Sequence, residues 1–247
     1  SKLIALARPS LKNEKLLALM ERANITFTSL RVTLKQIPRY RVQVVGDTII
    51  DSYTHASMSG GYTKTPTPSV LYERRDDYVG GAAIVAKHLK AAGAEVWFST
   101  VLGEDEWAEH AWEDLLEAGV KACIVNDPTR PTTNKNAIVS EGYRLLKLDT
   151  LDNRSISDEI VARLANSISV LKSDAVVFSD FRHGIFNRRT IPALTAAIKS
   201  PFRAADSQVA SRWGNITEFK GFDLITPNER EARFALGDQD SGIRPLA

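Results

Sequence analysis

Gly46 and Asp47 end a nearly continuous apolar stretch that begins at Val42 and is expected to be a buried strand, and Asp51 lies five residues after Gly46. An ionised carboxylate only accepts hydrogen bonds, and it can take two hydroxyl donors, so the two aspartates could hold a ligand through its hydroxyl groups. The alternative interpretation is that Asp47 caps a turn and Asp51 is a solvated loop residue. The position after a buried strand favours a binding role, because ligands of open α/β sheets bind at the carboxyl ends of the strands.

Two adjacent glycines, Gly80 and Gly81, stand where a helical pattern of apolar residues begins. Because glycine has no side chain, a ligand can approach the backbone N–H groups, which also lie at the positive end of the helix dipole. An ordinary flexible entry turn is the alternative. The spacing excludes a dinucleotide-binding motif, since no Gly-x-Gly-x-x-Gly follows a strand.

Two further polar segments also lie at the ends of apolar strands. The segment Asp180 to Gly184 follows the strand that ends at Phe178, and the segment Asn228 to Glu231 opens the last helix. Asn228 and Glu231 have the spacing of a helix capping pair, so capping alone would also explain them. The chain has four histidines, no two of which have the spacing of metal ligands, so the sequence does not indicate a zinc site.

The elements that must position these residues alternate between strands and helices. This alternation predicts βαβ units, a mainly parallel sheet and an α/β fold class. We expect strands at residues 41–50, 96–102, 120–125, 175–178, 202–206 and 222–226. We expect helices at residues 11–23, 82–93, 104–118, 157–171, 187–198 and 228–236.

In their order along the chain, the four motifs resemble those of the ribokinase-like (PfkB) carbohydrate kinase family. The resemblance is closest to the heptose-phosphate kinase branch and its relatives fused to a cytidylyltransferase-like domain, and it runs from about Arg31 to Ala247. It implies transfer of the ATP γ-phosphoryl group, with Mg²⁺, to a hydroxyl of a sugar or sugar phosphate. It also implies a mainly parallel sheet flanked by helices, and a small β lid formed by residues 53–72 and 134–148 that closes over the sugar.

The resemblance further implies a role for each candidate residue. Asn228 and Glu231 would bind the nucleotide, and Glu231 would reach Mg²⁺ indirectly through water. His183 could contact a phosphate, although a lone loop histidine is also explained by a structural hydrogen bond, and Lys135 could equally be a surface lysine. Ile84 departs from the family pattern, because the family usually has Asn there and so makes a polar contact. The implied substrate-binding residues are Asp47, Asp51, Gly80, Gly81, Lys135, Asp180 and His183.

The chain ends at Ala247, before the Gly-Ala-Gly-Asp motif whose aspartate is the catalytic base of the family. The resemblance therefore implies that the C-terminal part of the family fold is absent and that residues 1–247 alone do not catalyse the transfer. A non-catalytic sugar-binding or regulatory domain, or an assembly module, remains as an alternative. We expect a basic N-terminal linker or helix at residues 1–40 and an incomplete kinase domain at residues 41–247.

Composition narrows the expected partners and location. The single cysteine, Cys123, fits a reducing cytoplasm, and no apolar run approaches the roughly 20 residues that span a bilayer. The stretch that ends at Arg41 contains nine basic and two acidic residues, but these charges are dispersed, so we expect no nucleic-acid partner. A fused or partner nucleotidyltransferase domain is suggested by the resemblance. A homodimer through the lid is predicted from its apolar residues Tyr62, Val70, Leu71, Tyr72, Ile138, Val139 and Leu145.

Overall fold

The computed structural model describes residues 13–59, 67–208, 216–238 and 240–242. Tyr62 and the first two residues of the helix predicted at 11–23 lie outside these ranges. The chain divides into two compact units, Ser1–Arg39 and Tyr40–Ala247. No helix among the described residues is both long and apolar enough to cross a membrane.

The first unit contains two helices and a short turn. Helix α1 covers residues 13–22, helix α2 covers Phe27–Leu34, and a 3-10 turn covers Ile37–Arg39. Helix α2 begins with a capping box, in which the Thr26 and Ser29 side chains each accept a hydrogen bond from the other's backbone N–H at 3.0 Å. These bonds satisfy two of the backbone donors that a helix start leaves without partners.

The second unit contains ten strands and five helices among its described residues. The strands are β1 (Arg41–Gly46), β2 (Thr48–Met58), β3 (Val70–Gly81), β4 (Glu95–Leu102), β5 (Lys121–Asn126), β6 (Asn134–Ser140), β7 (Tyr143–Thr150), β8 (Ala175–Asp180), β9 (Phe202–Ser207) and β10 (Leu224–Ile225). The helices are α3 (Ala82–Ala91), α4 (Glu106–Glu117), α5 (Asp158–Ser169), α6 (Thr190–Ala196) and α7 (Glu229–Leu236). A second 3-10 turn covers Ile216–Glu218.

Six of the strands form the main sheet, in the order β10-β9-β8-β1-β4-β5, and all of its strand pairs are parallel. The predicted α/β fold with a mainly parallel sheet is therefore confirmed. Helix α5 buries Ile160, Leu164 and Ile168, which recur every fourth residue and so form one apolar stripe along the helix. This stripe lies in one core cluster with Phe178 of β8 and Phe186.

The other four strands form a second sheet, in the order β3-β2-β6-β7. It consists of two antiparallel hairpins, β2–β3 and β6–β7, which are joined by parallel pairing of β2 with β6. We call this second sheet the lid sheet. It is longer than the lid predicted at 53–72 and 134–148, because its strands begin at Thr48 and continue to Gly81 and Thr150.

The chain passes from the main sheet to the lid sheet at a single residue, Asp47, which lies between β1 and β2. The sequence predicts one strand over residues 41–50, and that prediction is wrong, because Thr48 to Ile50 pair with β3 and β6 rather than with the main sheet. The chain returns to the main body at Gly81, where the Ala82 N–H donates to the Asp47 carbonyl at 2.8 Å. Gly81 has a φ of 62°, which a residue with a side chain rarely adopts.

Candidate functional site

The candidate site lies where the main sheet meets the lid sheet. Strands β1 and β8 are neighbours in the main sheet, and their carboxyl ends carry Asp47 and Asp180. The lid sheet begins immediately after Asp47, and Asp51 lies at the fourth position of β2. Parallel strands bring their carboxyl ends to one edge of the sheet, so the predicted carboxylates collect there.

The carboxylate of Asp47 is buried and accepts hydrogen bonds from three backbone N–H groups of one loop. Its Oδ2 accepts from Phe181 at 3.0 Å and from His183 at 3.3 Å, and its Oδ1 accepts from Ile185 at 3.4 Å. Burial raises the pKa of this carboxyl, and the three N–H donors oppose that rise. The carboxylate thus fills the space in which alternate N–H groups of the loop converge.

The loop that Asp47 holds has an unusual backbone. Arg182 has a φ of 61° and Gly184 a φ of 106°, and alternation of this kind turns successive N–H groups towards one side. Arg130 fixes the loop from its carbonyl side by donating to the carbonyl of His183 at 3.4 Å. The guanidinium of Arg130 is itself held by Asp127 at 2.8 Å, and both side chains are more than nine-tenths buried.

Asp180 is fully buried and pairs with Arg182, whose Nε lies 2.9 Å from Asp180 Oδ2. It also accepts from the Ser207 hydroxyl at 2.8 Å and from the Arg182 N–H at 2.8 Å. Burial, followed by the negative charge of nearby Asp47, raises the pKa of the Asp180 carboxyl to about 7. Asp180 therefore joins the ends of β8 and β9, and burial lets its carboxyl keep a proton to a higher pH than an exposed aspartate does.

His183 presents a neutral imidazole. Its Nδ1 lies 2.7 Å from Oδ1 of Asn153, and because that amide oxygen only accepts, the ring proton sits on Nδ1. Burial, and to a smaller extent the positive charge of Lys135, lowers the pKa of His183 to about 4. The second ring nitrogen, Nε2, is buried without a hydrogen-bond partner among the described residues. His183 also lines a cavity of about 10 Å³ beside Asp47 and Arg130, which is room for about one water.

Asp51 differs from Asp47 and Asp180, because its half-buried carboxylate has no hydrogen-bond partner in the part of the chain that the structure describes. Burial raises the pKa of this carboxyl, the positive charges of Lys135 and Lys147 lower it, and the negative charge of Asp149 raises it. A carboxylate that is partly desolvated and still free to accept hydrogen bonds suits the binding of hydroxyl donors.

The two predicted glycines lie against these aspartates. A Cβ atom at Gly80 would collide with Oδ2 of Asp51, and one at Gly81 would collide with the backbone carbonyl of Asp47. The absence of a side chain at Gly80 therefore makes room for the Asp51 carboxylate. Ile84, in the first turn of α3, is 37% exposed.

Lys135 lies beside Asp51, since the two residues are paired in the parallel register of β2 and β6. The next strand places Asp149 opposite Lys135. The structure thus brings together Asp51, Gly80 and Lys135 at the base of the lid sheet, with His183 close enough for the charge of Lys135 to act on it.

Asn228 and Glu231 form a capping box at the start of α7. The Asn228 side chain accepts from the Glu231 N–H at 3.0 Å, and Oε2 of Glu231 accepts from the Asn228 N–H at 2.8 Å. The capping interpretation of this pair therefore holds, and it leaves Oε1 of Glu231 without a hydrogen bond among the described residues. Within those residues, no group of three or more His, Cys, Asp or Glu side chains could hold a metal ion directly.

Sequence reasoning missed three residues of this region: Arg130, Lys147 and Asn153. Lys147 could have been found, because Leu146-Lys147-Leu148-Asp149 alternates apolar and polar residues and so predicts a strand with one polar face. Arg130 and Asn153 act on His183 from loops 53 and 30 residues away. Nothing local in the sequence indicates those contacts.

Comparison with known proteins agrees with this architecture. The family model described as "pfkB family carbohydrate kinase" matches residues 40–245. The chain is 32% identical over 205 residues to the D-beta-D-heptose 7-phosphate kinase of Bordetella bronchiseptica, covering 82% of this chain and 64% of that protein. It is 30% identical over 203 residues to the bifunctional protein HldE of Rhodopseudomonas palustris, covering 80% of this chain and 41% of that protein. The chain thus spans less than two thirds of the length of these relatives.

Solved structures show the same fold at lower sequence identity. Phosphofructokinase-2 from Escherichia coli, in complex with fructose-6-phosphate, superposes with a TM-score of 0.65 at 15% identity, covering 84% of this chain and 69% of that one. Ribokinase from Giardia lamblia superposes with a TM-score of 0.59 at 18% identity, covering 84% and 68%. Because the family model matches most of the chain, the predicted resemblance is confirmed, and this chain belongs to the pfkB family of carbohydrate kinases.

Proposed function

We propose that this chain provides the sugar-binding part of a kinase that transfers the γ-phosphoryl group of ATP to a hydroxyl of a sugar phosphate. The observation that carries the proposal is the Asp51 carboxylate, which is half-buried, has no hydrogen-bond partner among the described residues and stands beside Lys135. A carboxylate and an ammonium group side by side can bind the hydroxyl groups and the anionic group of one small ligand.

The substrate class in this proposal is a heptose phosphate. The supporting observation is the similarity to a D-beta-D-heptose 7-phosphate kinase and to the bifunctional protein HldE. In the proposal Asp51 binds sugar hydroxyls, Gly80 gives the carboxylate room, and Lys135 and His183 face the anionic part of the substrate. Three further residues support the site without binding the substrate in this proposal, since their own contacts are with the protein backbone and with neighbouring side chains: Asp47, Gly81 and Asp180.

ATP and Mg²⁺ are the proposed cofactors. Phosphoryl transfer depends mostly on positioning and on neutralisation of charge, which Mg²⁺ and the nucleotide-binding residues would supply. Glu231 fits an indirect role, because Mg²⁺ usually keeps several waters and one carboxylate oxygen of Glu231 is not used by the capping box. Asn228 would then fix the helix start that faces the nucleotide phosphates.

The lid sheet is the proposed contact of a homodimer. Its two outer strands, β3 and β7, are edges, and exposed apolar residues lie along them. Exposed edges and apolar patches favour pairing with a second copy, and twofold symmetry is the usual arrangement. We also propose a fused or partner nucleotidyltransferase domain, because the chain is similar to a protein that is named as bifunctional. A cytoplasmic location fits the single cysteine.

The role of Asp51 can be tested by calorimetric titration with D-beta-D-heptose 7-phosphate, the sugar phosphate in the name of the similar kinase. We expect Asp51→Ala to lower the affinity by about tenfold to a hundredfold, because hydrogen bonds to a charged group contribute about 1.5–3 kcal/mol. The matched control is Glu73→Gln, which neutralises an exposed carboxylate on another strand of the lid sheet. Equal affinity of the wild-type and Asp51→Ala proteins for the sugar phosphate would contradict the proposal.

A further inference from the structure

The register of the lid sheet places Lys147 on the same face as Asp51 and Lys135. Asp51 pairs with Lys135, and Lys135 pairs with Asp149, which forms one row across β2, β6 and β7. The next row of that face contains Tyr53, Ala137 and Lys147. Successive residues of a strand alternate between faces, so residues two apart on each strand share one face of the sheet.

Lys135 and Lys147 are diagonal neighbours on this face. Residues in that relation have Cα atoms about 7–8 Å apart on adjacent strands, which long side chains can bridge. Because the residue paired with Lys147 is Ala137, no bulky side chain of β6 stands beside the lysine. The two ammonium groups can therefore reach one anion between them.

Neither lysine has a carboxylate within ion-pair distance among the described residues, whereas two arginines of β3 do. Arg74 pairs with Asp76 at 3.3 Å, and Arg75 pairs with Asp77 at 3.1 Å. Lys135 and Lys147 thus carry positive charge that no ion pair among the described residues neutralises, as does Arg144 of β7, and this charge is available for a ligand. Asp149 lies on the same face and opposes this charge, but it forms no ion pair with Lys135.

The electrostatics of neighbouring groups agree with the register. Lys135 and Lys147 both lower the pKa of the Asp51 carboxyl, so both charges act on the group that the proposed function assigns to sugar hydroxyls. Lys135 also contributes to the lowered pKa of His183. The positive charge of the lid sheet therefore lies next to the hydroxyl-binding carboxylate.

We propose that Lys147, together with Lys135, binds the phosphate group of a phosphorylated sugar whose hydroxyls are held by Asp51. The inference rests on the proposed function and deepens it, because it makes the chain selective for a phosphorylated sugar over the same sugar without phosphate. Ammonium groups form charge-assisted hydrogen bonds with phosphate oxygens, and a phosphate dianion attracts two lysines more strongly than a hydroxyl does. A nucleotide phosphate has the same chemistry, so the test must separate the two sources.

The test compares the binding of D-beta-D-heptose 7-phosphate, the same heptose without phosphate, and ADP, each titrated into the full chain in a calorimeter. The variants are Lys147→Gln, Lys147→Arg and the control Lys172→Gln, which neutralises an exposed lysine just before the amino end of β8. We expect Lys147→Gln to weaken binding of the sugar phosphate by about tenfold, the size of one charge-assisted contact, and to leave the binding of the unphosphorylated heptose unchanged. Lys147→Arg should retain most of the affinity, and Lys172→Gln should bind as the wild type does.

The remaining outcomes separate failure of the inference from failure of the proposed function. Wild-type affinity of Lys147→Gln for the heptose 7-phosphate, with binding weakened in Asp51→Ala, would overturn the inference alone. Weaker binding of ADP rather than of the sugar phosphate by Lys147→Gln would assign the lysine to the nucleotide and also overturn it. A wild-type chain that binds neither sugar would contradict the proposed function, and the inference would fall with it.

Discussion

Asp47 and Asp51 are four residues apart, yet the structure predicts that changing Asp47 to alanine lowers the stability of the fold and that changing Asp51 to alanine does not. Asp47→Ala removes the acceptor of three backbone N–H groups, at 3.0, 3.3 and 3.4 Å. A buried donor left without a partner costs about 1–3 kcal/mol. Two effects offset part of the total for the three donors: water can enter the vacated space, and the protein no longer has to desolvate a buried carboxylate. We therefore expect the free energy of unfolding to fall by about 3 kcal/mol, a large share of the 5–15 kcal/mol typical of a domain.

Asp47→Asn should be milder, by an amount that the geometry defines. An amide oxygen in the place of Oδ2 keeps the bonds from Phe181 and His183, while the amide nitrogen faces the Ile185 N–H and loses that bond. The expected loss is about 1 kcal/mol, the cost of one hydrogen bond.

Equilibrium urea unfolding measures both losses, and amide hydrogen exchange should show faster exchange at Ile185 in both variants. Asp51→Ala is the matched control, and we expect it to change the free energy of unfolding by less than about 0.5 kcal/mol, because its carboxylate holds no part of the fold. A loss below about 1 kcal/mol in Asp47→Ala, or equal losses in the Ala and Asn variants, would refute the reasoning.

Three further predictions follow from individual contacts. Burial raises the pKa of Asp180 from 3.8 to about 7, so the folded protein retains a proton that the unfolded chain releases, and the free energy of unfolding should fall as the pH rises across that interval. Asp180→Asn should flatten this part of a pH series of urea unfolding, and an unchanged slope would contradict the assignment. Gly80→Ala should displace the Asp51 carboxylate and weaken binding of the heptose 7-phosphate by at least about tenfold without unfolding the protein, so unchanged affinity would show that the carboxylate can move away freely. Leu146 and Leu148 are 55% and 57% exposed on the edge strand β7, and changing both to Asp should convert a lid dimer to a monomer in light scattering; a persistent dimer would exclude this edge as the contact.

Periodicity predicted the main sheet well, because parallel strands buried on both faces are continuously apolar and the helices between them are amphipathic. It predicted one strand over residues 41–50, although two strands in different sheets occupy that stretch. Thr48, Ile49 and Ile50 are as buried as Val44 and Val45, so the apolar pattern does not change at Asp47. The change of sheet depends on pairing with β3 and β6, which no local pattern contains.

The sequence likewise predicts some residues of the candidate site and misses others. Asp51 stood out because it follows an expected strand, and Gly80 because it lies at an expected helix start. Lys135 was named through the family resemblance, and the capping box of Asn228 and Glu231 is readable from their spacing. The role of Lys147 depends on the register between β6 and β7, and the neutral state of His183 depends on contacts across the fold. Such features arise from three-dimensional neighbours, which motif reasoning cannot supply.

The two hairpins of the lid sheet join the main body at the same edge, so a rotation about that edge would displace each residue in proportion to its distance from it. Strands β2 and β6 leave the main body at Thr48 and Asn134, and strands β3 and β7 return at Gly81 and Thr150. At about 3.3 Å per residue, Asp51 lies roughly 10 Å from that edge and Met58 roughly 33 Å from it. A rotation of about 10° about the edge would move the tip by roughly 6 Å and Asp51 by only about 2 Å. Such a rotation would also have to break the contact between Arg75 of β3 and helix α4, since the guanidinium carbon of Arg75 lies 4.5 Å from the centre of the Trp107 ring.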